Sequence, residues 1–171
     1  MTTAIARILN MASRAVSYIL HPFRMPLYMV AVLKRTGRIE SWRMDSQRDR
    51  VLPLVIGTVC YIVCAVTISR IASAEILRRM MLAGACCEMM CLAVNYHWKI
   101  SLHMTAAGGC TAILAVLTII TGQLTGMLAL AVAVSGLLAS ARLCLGKHTP
   151  QQVAAGYAGG FAVTVGALLL L

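Results

Sequence analysis

Long apolar runs separated by short polar passages set the pattern of this chain. In the opening stretch Ile5, Ile8, Leu9, Ala12, Val16 and Ile19 recur at helical spacing while Arg7 and Arg14 fall on the other side. Residues 1–14 therefore read as an amphipathic helix on or entering a membrane interface. The stretch lacks the apolar core and small-residue cleavage site of a secretory signal. Residues 15–33 are apolar enough to span a bilayer, but His21-Pro22-Phe23-Arg24-Met25-Pro26 interrupts them. Two prolines and an arginine predict a broken or re-entrant helix whose freed backbone groups are covered by neighbouring protein. Further apolar helices are expected over 51–69, 80–95, 101–120, 124–143 and 153–171, with residues 34–50 as the one long charged loop. The pattern predicts an all-α fold: a polytopic membrane helical bundle of about six transmembrane helices, forming a single integral membrane domain over 1–171.

Composition supports that class. Of 171 residues 60% are hydrophobic and 12% charged, and the mean hydropathy is +0.85, whereas a soluble domain carries about 25% charged residues. The formal charge of +10 would suit nucleic acid, but the cations lie mostly between apolar runs and aromatic residues are few. Anionic headgroups and phosphorylated lipids are the more natural partners. Cys60, Cys64, Cys86, Cys87, Cys91, Cys110 and Cys144 all fall in or beside apolar segments without the paired spacing of a zinc site. They read as small packing residues, and neither metal, disulfide nor cofactor is expected. Oligomeric state is left open by the sequence.

Some polar residues stand out against this background. Glu88 lies near the middle of an apolar helix, where a carboxylate must face the bundle interior and be protonated or paired. It is either a partner for a cationic site group or a hydrogen-bonded packing residue. Gly156 and Gly160 are four apart, a spacing that lets helices approach closely. The passage Ser140-Ala141-Arg142-Leu143-Cys144-Leu145-Gly146-Lys147-His148-Thr149-Pro150-Gln151-Gln152 combines an arginine, a lysine and a histidine with no acid. Thr149-Pro150-Gln151-Gln152 reads as a helix start, with Thr149 as N-cap, Pro150 at the first helical position and Gln152 closing a capping box. His148 then stands before a helix N-terminus, where N–H groups and the dipole favour an anion, and Arg142 can fork onto phosphate oxygens. A snorkelling arginine beside a capped turn would leave the same residues. Ser101 is placed to cap the helix that carries His103 in its first turn, one connection after Lys99. Because successive spans alternate direction, Lys99, His103, Arg142, Lys147 and His148 are expected at one membrane interface.

At these residues the chain resembles the membrane-bound type 2 phosphatidic acid phosphatases, the PAP2 superfamily. That family's third motif is Ser-Arg, five residues, His, three residues, Asp; Arg142 and His148 match its Arg and His, and Gln152 stands at its Asp. Its second motif, Pro-Ser-Gly-His, is similar to Ser101-Leu102-His103. Its first motif, Lys, six residues, Arg-Pro, is absent, and only Lys99, with Asn95 near it, stands near its place. The Gln form of the third motif and the segment from His21 to Tyr28 are similar to short bacterial members. The resemblance implies that His148 forms a phosphohistidine, that His103 is the general acid, that Arg142, Lys99 and Ser101 bind substrate phosphate, and that Gln152 orients His148.

Two functions of different class follow. One is a metal-independent membrane lipid phosphatase or phosphotransferase acting on a phospho- or pyrophospholipid. The other is a catalytically silent helical bundle that binds anionic lipid or a partner membrane protein. A transporter fits less well, because Glu88 is a lone mid-membrane acid and no inverted repeat is visible. The resemblance implies a bacterial cytoplasmic (inner) membrane with the site facing outward. Charge leans the other way. On six spans the motif side carries Lys34, Arg35, Arg38, Arg43, Arg48, Arg50, Lys99, Arg142 and Lys147, against Arg7, Arg14, Arg70, Arg78 and Arg79 opposite.

Overall fold

The computed structural model describes residue 32, residues 34–37 and residues 47–171. The amphipathic stretch over 1–14, the proline-broken segment over 15–33 apart from residue 32, and most of the charged loop lie outside the described residues. All regular structure among the described residues is helical, with no strand. The five α-helices are α1 (Gln47–Ile68), α2 (Glu75–His97), α3 (Leu102–Thr121), α4 (Thr125–Cys144) and α5 (Pro150–Leu170), with a short 3-10 turn at Ala72–Ala74 before α2. The charged loop is shorter than expected, because α1 begins at Gln47 and takes in Arg48-Asp49-Arg50, with Asp49 in its first turn where the dipole favours an acid. Gly37, at φ +68°, closes a turn in which the Thr36 N–H donates to the Val32 carbonyl at 2.9 Å.

By length and composition α1, α3, α4 and α5 can each cross a membrane. These four helices give the chain the character of a membrane protein. α2 is as long, 23 residues, but carries Glu75, Arg78, Arg79 and Glu88 and ends in Asn95, Tyr96 and His97, which places it outside that group.

The chain divides within α1 into two compact units, Met1–Pro53 and Leu54–Leu171. In Leu54–Leu171, α5 is the central helix. It packs most extensively on α3 and next on α2, while α4 leans mainly on α3. The α3–α5 seam is built from glycine. A Cβ at Gly156 would come within 2.8 Å of the Ser101 carbonyl, one at Gly160 would overlap the Thr105 carbonyl, and one at Gly108 would overlap that of Tyr157. The Gly156/Gly160 spacing thus does what such spacing predicts, bringing two backbones into contact. Along the seam Ser101 lies beside Gly156 and Gly109 beside Thr164, so α3 and α5 run parallel. α2 runs against α5: Met90 lies beside Gly159, Cys87 Sγ is 3.2 Å from Thr164 Oγ1, and Arg79 donates to the Leu168 carbonyl at 3.1 Å. A small apolar core of Leu54, Cys91 and Ile100 joins α1, α2 and the α2–α3 connection.

Glu88 faces α1, where a Cβ at Gly57 would overlap its carboxyl oxygens. Within Leu54–Leu171, then, it is a packing group between α1 and α2.

Candidate site at the α4–α5 connection

Two local motifs fix the position of His148. α4 ends in a left-handed glycine cap: Gly146 has φ +61°, its N–H donates to the Leu143 carbonyl at 2.9 Å, and the Lys147 N–H donates to the Arg142 carbonyl at 3.3 Å. This pairing is a Schellman cap, in which glycine takes a backbone conformation that costs other residues about 1–2 kcal/mol. α5 then starts with the expected capping box. Thr149 Oγ1 accepts from the Gln152 N–H at 3.3 Å, the Thr149 N–H donates to Gln152 Oε1 at 3.1 Å, and Pro150 opens the helix. His148 is the single residue between Lys147, the last of one cap, and Thr149, the first of the next.

The capping box also selects the tautomer of a neutral His148 ring. Its Nδ1 lies 3.2 Å from Gln152 Oε1. That oxygen already accepts the Thr149 N–H, so the group facing Nδ1 is an acceptor and Nδ1 must be the protonated nitrogen. Nε2 then carries the ring's lone pair. A glutamine with its amide reversed would set N–H against N–H at Thr149, so the box selects both the amide orientation and the tautomer. Gln152 thus serves the helix cap and the histidine with one oxygen.

The remaining candidates gather at the same end of the bundle. Because α3 and α5 run parallel and α2 opposes them, the α2–α3 connection carrying Lys99 lies at the end where α5 begins. Arg142, in the last turn of α4, is half-buried, as are Lys99 and Lys147, while His103 in the first turn of α3 is exposed. Ser101 occupies the N-cap position of α3, as expected, but its side chain makes no cap hydrogen bond. It is fully buried and its Oγ has no hydrogen-bond partner. Its carbonyl instead receives the Thr105 N–H at 2.9 Å and packs on Gly156. Ser101 thus packs in the α3–α5 seam.

Thr149 precedes Gly156 by seven residues, so α5 begins about 10 Å further out than the level of Ser101. His148 precedes α5 and His103 lies in the first turn of α3. The electrostatics of this end suit an anion. Beyond Glu88 the chain contains no aspartate or glutamate at all, so Lys99, Arg142 and Lys147 act together with the amino end of α5 without an opposing carboxylate from α3, α4 or α5. Sequence reasoning missed two things here: the burial of Ser101, which depends on how closely α3 meets α5, and His97 in the last turn of α2, which edge-packs on Tyr96 with ring centroids 5.0 Å apart. No group of three or more histidines, cysteines or acids able to hold a metal occurs among the described residues.

Comparison with protein-family models, curated proteins and solved structures finds no match. The resemblance stands on the residues of the two motifs.

Proposed function

We propose that the protein is a PAP2-type membrane lipid phosphatase or phosphotransferase, working without metal at the α4–α5 connection. The observation that carries this reading is the His148–Gln152–Thr149 arrangement, which fixes the ring and leaves its lone pair on Nε2. In the first step Nε2 attacks phosphorus and the bond to the leaving lipid oxygen breaks. His103, as imidazolium, gives that oxygen its proton. In the second, water attacks the phosphohistidine, neutral His103 takes the water proton, and His148 is regenerated. Arg142 and Lys99 hold the non-bridging oxygens, the arginine through its planar fork.

A second reading is favoured by one feature. Attack places positive charge on His148, and Gln152, being neutral, offers it a hydrogen bond but no counter-charge. The same cationic end would serve a silent bundle that binds anionic lipid.

Phosphate release from a lipid phosphate in metal-free detergent, with acid quench to trap phosphohistidine, separates the two. On the catalytic reading His148→Ala drops to background and forms no phosphoprotein. His103→Ala loses about 10²–10⁴-fold on an alcohol leaving group and far less on a phenol, which departs without help. No turnover and no trapped phosphate in the wild type, with lipid still bound, would establish the silent bundle.

A further inference from the structure

The end of the bundle opposite the histidines carries a second feature that the proposed chemistry does not use. A cavity of about 310 Å³ opens between α2, α3 and α5, walled by Ile76 and Met80, by Val116, Leu117 and Ile120, and by Leu168, with Glu75 and Arg79 at its polar edge. Of its lining, Ile76 and Ile120 are exposed, and Ile119, Leu169 and Leu170 at the same end of α3 and α5 are exposed as well. Apolar exposure of this kind faces hydrocarbon, so what enters comes from the bilayer. Size narrows the occupant. The volume equals that of about ten water molecules at roughly 30 Å³ each, and a partner helix about 10–12 Å across does not fit into it. A single alkyl chain does.

The polar edge selects the headgroup. Glu75 accepts from Arg78 at 2.8 Å and from Arg79 Nε at 2.9 Å, and Arg79 Nη1 donates to the Leu168 carbonyl at 3.1 Å. Of the five N–H donors of a guanidinium these bonds occupy two on Arg79, which holds the group rigidly at the cavity mouth. Arg70, exposed, stands five residues before Glu75. Three arginines against one glutamate leave this end cationic.

We infer that this cavity is a binding site for one anionic phospholipid, its acyl chain between α2 and α3 and its phosphate against Arg79, with Arg70 adding charge. The site lies at the far end from His148, so its occupant is a bound lipid and not the substrate.

Native mass spectrometry of the full chain, released from nanodiscs of phosphatidylglycerol mixed with phosphatidylcholine, reads the site directly. One phosphatidylglycerol should be retained in preference to phosphatidylcholine by about tenfold, the scale expected for one to two cations at a phosphate. Leu117→Trp or Ile120→Trp, which fill the cavity, should remove one bound lipid of either kind. Arg70→Gln should keep a bound lipid but lose the preference, and Arg79→Gln should lose both preference and retention. Gly136→Ala, on α4 where an added Cβ meets nothing within 4 Å, should change neither. Unchanged retention in both tryptophan variants, each with its helical circular dichroism intact, would overturn the inference, as would an unchanged preference in Arg70→Gln. Because retention is scored without turnover, failure of the phosphatase reading leaves this result standing, and the reverse also holds.

Discussion

At the scale of single residues, much of the site was legible because it is local. Thr149, Pro150 and Gln152 encode a helix start within four positions, and the structure forms each bond of the box. What the sequence could not give is that the oxygen closing the box also faces His148 Nδ1. That follows only once Gly146 has turned the chain, and it makes Gln152 the residue on which helix start and histidine chemistry meet. Replacing it by glutamate keeps both acceptor functions, since glutamate closes capping boxes equally well, and adds a negative charge beside the ring. Gln152→Glu should therefore fold normally and raise the rate of phosphohistidine formation on the catalytic reading, by stabilising the charged ring. Measured as single-turnover kinetics against a lipid phosphate, a slower step with an intact helix signature would show that the amide nitrogen has a donor role of its own. Ser101 shows the opposite case. Its place before a helix predicts a cap, yet the proximity of α5 buries it, and no local pattern carries that information.

Among the elements, the boundaries of α3, α4 and α5 were readable to within one to three residues, because each ends at Gly, Pro or a polar cluster. α1 and α2 ran longer than the apolar pattern, since Gln47–Arg50 and Glu75–Arg79 are polar first turns that hydropathy reads as loop. Those turns have their own work. Arg78 and Arg79 each join Glu75 to a carbonyl at the end of α5, so α2 caps α5 across the bundle. These bonds hold the Glu75 carboxyl at a pKa of about 2, below its usual 4.5, chiefly through Arg78 and then Arg79. A lowered carboxyl pKa stabilises the fold above the ordinary value, and the contribution is lost as pH falls from 4.5 towards 2. Thermal melts in detergent should show Glu75→Gln destabilised at neutral pH and converging on the wild type near pH 2; parallel curves across that window would rule the clamp out. The α3–α5 seam gives a sharper contrast. Gly160→Ala drives a methyl group into the Thr105 carbonyl and should cost about 1–3 kcal/mol. Gly126→Ala on the exposed side of α4 meets nothing within 4 Å and should be neutral or stabilising, since alanine is the better helix former. Equal melting temperatures for the two variants would mean that the seam is looser than drawn.

For the whole molecule, membrane character was plain in the sequence and four described helices carry it, whereas the side on which the site lies is a question of charge that the fold sharpens. Within Leu54–Leu171 the histidine end presents Lys99, Arg142 and Lys147, and the opposite end presents Arg70, Arg78 and Arg79. Three lysines and arginines stand at each end, so the rule that cations stay on the cytoplasmic side gives no decision from these helices, and the charges of residues 34–50 dominate any count made over the chain. The roles of the two sets differ, however. Arg78 and Arg79 are tied to Glu75 and to carbonyls at the end of α5. On the proposed reading Lys99, Arg142 and Lys147 serve the substrate phosphate; setting those three aside leaves Arg70, Arg78 and Arg79 as the cations of this unit, and we propose on that ground that the site faces outward. Single cysteines introduced as Lys147→Cys and Arg70→Cys into a chain whose seven cysteines have been replaced test this directly. A membrane-impermeant maleimide applied to intact cells should modify the first and reach the second only after permeabilisation. The reverse pattern would put the histidines on the cytoplasmic side and make residues 34–50, rather than the site, the feature that sets topology.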